Sequence, residues 1–141
     1  MIRLKNEKEI EGIRKSCRLL AKMFKEVLPQ VKVGMSTFEI DQLCKKFIIG
    51  HGGTPAWYRE DFPGAACISI NDEVIHGIPS KKRIVKNGDI VSIDVGIDLE
   101  GYISDSSHSV LVGNVDSKVR KLDEVTLECL KAGIEACKVG N

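Results

Sequence analysis

The alternation of apolar and polar residues from Asn87 to Gly113 predicts two β-strands that fold back on each other. Residues 89–97 alternate and are rich in isoleucine and valine, which favour strands. The segment Asp98–Gly101, with the sequence DLEG, is typical of a tight turn, and residues 102–112 return as the second strand. The pattern therefore predicts an antiparallel hairpin.

Each predicted strand carries one carboxylate near its middle, Asp94 and Asp105. A loop at Leu99-Glu100, or a four-residue loop over residues 98–101, pairs residues whose numbers add to 199, as 94 and 105 do. The two Cβ atoms would then lie on one face, roughly 5 Å apart. Like charges at that distance need a proton or a cation, which favours a dinuclear metal site. A loop of different parity would separate them, and two solvated aspartates are the alternative.

Three further stretches have apolar residues at the three- and four-residue spacing of a helix. Asn6 and Ser36 each precede a glutamate by three residues, which is the pattern of a capping box. A short apolar strand is predicted between the second helix and the hairpin, over residues 65–71. This order indicates an α+β fold, an antiparallel sheet with helices on one face. The predicted helices begin at Asn6, Ser36 and Asp116 and end at Pro29, Gly50 and Gly140.

The loop of residues 51–64 is rich in glycine and proline and contains Trp57, Tyr58 and Phe62. These are three of the seven aromatic residues of the chain. Such a density of rings in a loop indicates the wall of a pocket, although packing over the sheet edge is the alternative.

Composition indicates one domain and excludes several classes of partner. The 141 residues include 21 basic and 20 acidic ones, so the net charge of +1 favours neither nucleic acid nor an anionic membrane. No apolar run approaches the roughly 20 residues that cross a bilayer. The five cysteines form no CxxC pair, and three lie on apolar helix faces, where we expect buried, reduced thiols. We therefore expect a cytoplasmic protein.

Histidine offers one candidate for catalysis. His76 is followed by Gly77, which allows a ligand to approach closely, although a lone histidine is often structural. His51 is expected to be a loop residue, and His108 lies an odd number of positions from Asp105 and hence on the other face. No GxSxG, P-loop or GxGxxG motif occurs, which removes the common nucleophile and nucleotide sites.

Taken together, three motifs resemble type I methionine aminopeptidase. They are CISINDEVIHGIP around His76, GDIVSIDVG around Asp94 and GYISDSS around Asp105. Asp94 lies eighteen positions after His76, and Asp105 lies eleven positions after Asp94. The resemblance extends over nearly the whole chain and implies the N-terminal half of the "pita-bread" fold, as a single unit over residues 1–141. We expect the second half to be absent, together with its three ligands, one histidine and two glutamates.

The resemblance also implies roles for individual residues. Asp94 would chelate one metal and Asp105 would bridge two, while His76 would contact the scissile peptide. Phe62 and Cys67 align with the pocket for the methionine side chain, and Tyr58 is a further candidate in a loop that departs from the family's pattern. The cofactor would be two divalent ions, Co, Mn, Fe or Zn, which all suit mixed oxygen and nitrogen ligands.

The implied activity is removal of the initiator methionine from nascent proteins by a dinuclear-metal-bound hydroxide. The partners would be N-terminal methionyl peptides and the ribosome, with no nucleic acid or membrane. We expect these 141 residues alone to be inactive and to form homodimers or aggregates, and the complete enzyme to be a monomer. The alternatives are an Xaa-Pro peptidase, which usually carries an extra N-terminal domain, and a non-catalytic pita-bread module that binds peptides or proteins.

Overall fold

The computed structural model describes residues 2–141, which form three α-helices and one four-stranded antiparallel sheet. Short 3₁₀ helices follow α1, at Leu28–Gln30, and β1, at Ala56–Glu60. The order of helices and strands agrees with the prediction except for the two-residue strand at Thr54–Pro55, which lies in the predicted loop of residues 51–64. The helices are α1 (Glu7–Val27), α2 (Thr37–Gly50) and α3 (Ser117–Ala136), and the strands are β1 (Thr54–Pro55), β2 (Cys67–Ile70), β3 (Ile90–Leu99) and β4 (Tyr102–Leu111).

Strand β3 is the centre of the sheet and pairs with each of the other three strands. It pairs with β4 along its whole length on one side, and with β2 and β1 on the other. Helices α1 and α2 cover one face of this sheet. The core between them is apolar and includes Met23, Ile40, Ile48, Ile68, Ile93 and Ile97, each almost fully buried.

The two predicted capping boxes are present. The Asn6 side chain accepts from the Glu9 N–H while the Glu9 carboxylate accepts from the Asn6 N–H, both at 2.9 Å. Ser36 and Glu39 form the same reciprocal pair at the start of α2. Because each box satisfies two amides that the first turn leaves free, both helices begin where the sequence indicates.

The hairpin register differs from the prediction. The loop is Glu100-Gly101, both residues have positive φ (54° and 86°), and Leu99 pairs with Tyr102. Such angles at both loop positions are those of a type I′ turn, which matches the twist of the strands. Paired residues therefore add to 201, so that Asp94 lies opposite Ser107 and Asp105 opposite Gly96. The expectation that the two aspartates face each other directly was wrong, but the parity is unchanged and they share one face.

Helix α3 packs differently from α1 and α2, because none of its residues is buried. Leu122, Leu130 and Ile134 are each more than half exposed on it. The expectation of buried thiols on apolar helix faces was wrong for Cys17, Cys129 and Cys137, which are exposed. None of the described helices, over residues 2–141, has the length and apolar character to span a membrane.

Candidate active site

Asp94 and Asp105 lie together on the face of the sheet that the helices leave open. They are diagonal neighbours across β3 and β4, since each lies two positions from the residue opposite the other. Burial raises the pKa of Asp94 to about 6, with further contributions from the charge of Asp105 and a hydrogen bond to it. The nearby His76 acts in the opposite direction. The two carboxyl groups are thus within interaction distance of each other.

Cys67 lies next to this pair, because it is the residue of β2 that pairs with Asp94. The thiol is buried, and burial together with the charges of Asp94 and Asp105 raises its pKa to about 11. It is therefore a neutral thiol at physiological pH and contributes a small, polarisable apolar surface.

A cavity of about 490 Å³ adjoins Cys67 on the same side of the sheet. Its walls are mostly aromatic or aliphatic, and His76 and Glu60 supply the polar groups. The aromatic loop thus forms a pocket wall, as its composition indicated. The lining residues are Trp57, Glu60, Phe62, Cys67, His76 and Ile78.

Tyr58 does not line the cavity, unlike the other predicted pocket residues. It is 40 % exposed, and the Lys45 ammonium lies 5.8 Å from its ring centroid. In a 3₁₀ turn, neighbouring residues point in different directions, so Trp57 reaches the cavity and Tyr58 does not.

The part of the cavity wall formed by Ala56–Glu60 contacts β3 at three points. The Trp57 indole N–H donates to the Asp94 carbonyl at 3.4 Å. A Cβ at Gly96 would lie 2.9 Å from the Ala56 Cβ, so glycine is required for this close approach. Arg59 forms an ion pair with Asp98 further along the strand. The aromatic loop is therefore fixed to the strand that carries Asp94.

His76 lines the cavity, and its backbone is in the left-handed region, with φ at +61°. The next residue fixes it: the Ile68 N–H donates to the Gly77 carbonyl at 2.9 Å, and the Gly77 N–H donates to the Ser69 hydroxyl at 3.1 Å. A Cβ at Gly77 would clash with the Ile68 carbonyl. Glycine is needed here for close backbone packing, which sets the position of His76.

Asp41 supports the opposite end of the pocket strand and was not predicted. Its carboxylate is buried and accepts from the Ala65 N–H at 2.6 Å and the Ala66 N–H at 3.0 Å, directly before Cys67. A signal was present in the sequence, because Asp41 follows Ile40 and precedes Cys44 by three residues, on the apolar side of α2. Glu60, in the cavity wall, was also not predicted.

The other two histidines do not line the cavity beside Cys67. The His108 ring contacts Phe24 of α1 at a tilted angle, with ring centroids 4.3 Å apart, on the helix-covered face as expected. His51 follows the last residue of α2, and its ring stacks on Phe47 at 4.0 Å.

The aspartate pair suits a divalent cation, since a cation would offset both the burial and the repulsion from Asp105 that raise the pKa of Asp94. Across residues 2–141, however, no group of three His, Cys, Asp or Glu side chains is placed to hold a metal ion. A tight divalent site normally takes three or more protein ligands. The described part of the chain therefore provides part of a donor set.

A family model agrees with this arrangement, because the model of metallopeptidase family M24 matches residues 11–141. The chain belongs to metallopeptidase family M24. It is 54 % identical over 140 residues to methionine aminopeptidase of Treponema pallidum, covering 99 % of this chain and 54 % of that protein. The resemblance to methionine aminopeptidase is thus confirmed, and the chain spans about half the length of the curated relatives it matches.

Solved structures of a methionine aminopeptidase and a prolidase confirm the fold. A methionine aminopeptidase from Rickettsia prowazekii superposes with a TM-score of 0.91 at 38 % identity, covering 95 % of this chain and 54 % of that one. A prolidase from Pyrococcus horikoshii superposes with a TM-score of 0.83 at 28 % identity, covering 96 % and 38 %. The α+β assignment and the pita-bread architecture are therefore established.

Proposed function

We propose that the protein to which this chain belongs removes methionine from the N-terminus of nascent proteins by metal-assisted hydrolysis. The observation that carries the proposal is the position of Asp94 and Asp105 beside an apolar cavity that His76 also lines. Cation ligands, a side-chain pocket and a hydrogen-bonding group would then meet around one peptide bond.

The cavity would hold the methionine side chain. Trp57, Phe62 and Ile78 offer apolar walls, and the neutral Cys67 offers a sulfur that packs well against a thioether. Such a pocket favours an unbranched side chain by only about 1–3 kcal/mol over a near isostere. Selectivity for methionine would come from this fit.

Asp94 and Asp105 would hold divalent metal ions, two in our proposal, of Co, Mn, Fe or Zn. Bound ions supply Lewis acidity and lower the pKa of water to near neutrality. His76 would donate a hydrogen bond to the oxygen that gains charge during hydrolysis, and would hold the peptide in place. The Trp57 hydrogen bond to β3 and the Gly77 backbone hydrogen bond would hold Asp94, His76 and the cavity wall in fixed relative positions.

The missing metal ligands would come from polypeptide beyond these 141 residues. Two carboxylates are too few for a tight site, and the chain spans about half the length of its relatives. We therefore propose that the 141 residues are the N-terminal half of the catalytic unit and are inactive alone. The free state of all five cysteines supports a reducing compartment, the cytoplasm, where nascent chains and the ribosome would be its partners.

The test is a peptidase assay on the full-length gene product, loaded with each of the four metals in turn. We expect release of free methionine from methionyl peptides, and none from the same peptides with an acetylated N-terminus. The 141-residue chain at equal concentration should release none. Equal activity of the short chain, or none in the full-length protein with any metal, would contradict the proposal.

We also propose that the 141 residues by themselves self-associate. Helix α3 exposes Leu122, Leu130 and Ile134 on one side, and exposed apolar patches of this kind favour association. Light scattering at micromolar concentration should show dimers or larger species. A clean monomer would contradict this, as would unchanged association after replacement of the three residues by glutamine.

A non-catalytic peptide-binding module is the second candidate. It is favoured by the lack of a three-ligand metal cluster among residues 2–141. In that case the full-length protein would bind methionyl peptides without cleaving them, and Asp94→Ala would leave the affinity unchanged.

A further inference from the structure

One carboxylate lies in the otherwise apolar wall of the cavity and has no role so far. Glu60 lines the cavity with Trp57, Phe62 and Ile78 on the side of the aromatic loop. None of the ion pairs among residues 2–141 involves it. Its charge is therefore available to a molecule that enters the cavity.

The cations near Glu60 are engaged elsewhere. Arg59 precedes it in the chain and is bound to Asp98 of β3. The Lys45 ammonium lies over the ring of Tyr58, which does not line the cavity. His76 is the one basic side chain in the cavity wall, and its charge interaction is with Asp94. The mouth of the pocket thus has an excess of negative charge at Glu60.

We propose that Glu60 is a specificity-determining residue that favours substrates with a lysine or arginine in the second position after the N-terminal methionine. The inference rests on the proposed function, since it assumes that methionine occupies the cavity. A peptide held there leaves through the cavity mouth, where a long cationic side chain can reach Glu60. Glu60 is exposed to water at the edge of the cavity, so we expect the charge pair to contribute modestly, as exposed pairs do.

Asp61 provides a matched control in the next position of the chain. It carries the same charge and is exposed, but it does not line the cavity. Its φ of 55° lies in the left-handed region, which asparagine tolerates well. Asp61→Asn therefore removes one negative charge from the loop with little strain, while Glu60→Gln removes one from the cavity.

The experiment measures kcat/KM of the metal-loaded full-length protein on a series of peptide amides, Met-Ala-X-Ala, with X as lysine, glutamine or glutamate. We expect lysine to exceed glutamine by about three- to tenfold, mainly through KM, and glutamate to be the poorest. The ratio should decrease at high salt. Glu60→Gln should bring it to about one, Glu60→Lys should invert it, and Asp61→Asn should preserve it.

Three outcomes would overturn the inference while methionine is still released. The lysine preference could persist in Glu60→Gln. It could decrease equally in Asp61→Asn, which would assign it to the general charge of the loop. Glu60→Gln could instead lower kcat/KM equally on every peptide, which would identify the substrate's α-ammonium as the bound cation. No release from any peptide by the unsubstituted protein would overturn the proposed function, and the inference with it.

Discussion

The two faces of strand β3 differ in what their side chains contact. Toward the helices, Val91, Ile93, Val95 and Ile97 are completely buried. Toward the open side the alternate positions are Ser92, Asp94, Gly96 and Asp98, all polar or glycine. Because successive side chains of a strand point to opposite faces, one ten-residue segment serves both surfaces.

The helix-covered face of β3 contributes to stability, and the open face carries the candidate catalytic groups. Residues on the helix-covered face remove apolar surface from water, which stabilises the fold. On the open face, Asp94 has its pKa raised by burial and by Asp105, so its ionised form destabilises the protein in the absence of a cation. We therefore expect substitutions on the first face to change the free energy of unfolding, and substitutions on the second to change activity.

The largest effect should come from the open face. In the full-length protein, Asp94→Ala or Asp105→Ala should abolish turnover, a loss of more than about 100-fold, because even groups that only orient metal ligands cost 10–100-fold. Methionine release would be measured with metal in excess. Ser92→Ala, on the same face of β3, is the control and should retain activity. Full activity in either aspartate variant would exclude the metal assignment.

The helix-covered face should give the largest change in stability. Ile93→Ala leaves a cavity between β3 and the helices, and should lower the free energy of unfolding by about 2–5 kcal/mol. Ser92→Ala should change it by less than about 0.5 kcal/mol, since its hydroxyl bond to Ser109 is exposed. Urea unfolding measures both. Similar losses in the two variants would contradict the distinction between the faces.

Asp41 is a carboxylate on the helix-covered side, and it should behave oppositely to Asp94. It accepts two backbone N–H groups, so Asp41→Ala would leave both buried and unpaired. We expect a loss of about 1–3 kcal/mol. Asp41→Asn keeps one acceptor oxygen and should recover part of it. Urea unfolding of the two variants would measure this order, and an unchanged Asp41→Ala would refute it.

The smallest effect should be a gain. Well below pH 3.8, the ordinary pKa of an aspartate, Asp94 is protonated in both the folded and the unfolded protein. As the pH rises toward 6, the unfolded chain releases this proton first, so the contribution of Asp94 to stability decreases and then levels off. In metal-free protein at pH 7, Asp94→Asn should raise stability by about 1 kcal/mol, since water screens the exposed part of the carboxyl.

The measurement is the difference in unfolding free energy between wild type and Asp94→Asn from pH 4 to pH 8. Taking the difference removes the contribution of groups such as Glu39, whose pKa is lowered by its bonds to Ser36. A difference that is constant with pH, or that favours the wild type at pH 7, would contradict the raised pKa of Asp94.

Local patterns in the sequence determined the helices, the strands and their starts. Capping boxes at Asn6 and Ser36 act over three residues, and the alternation in β3 follows from the pleat of a strand. Strand parity placed Asp94 and Asp105 on one face, and the observed loop at Glu100-Gly101 has the same parity as the two predicted loops. These features were predictable because each depends on residues a few positions apart.

Only the tertiary structure decided the register and the composition of the pocket. The positive φ angles of Glu100 and Gly101 shifted the hairpin by two residues, which the letters DLEG did not specify. The contacts of Asp41 with the chain before Cys67, and of Arg59 with Asp98, join residues far apart in sequence. Periodicity predicts which face of an amphipathic helix is apolar, but not which surface that face packs against. For that reason α1 is packed on the sheet while α3 is exposed.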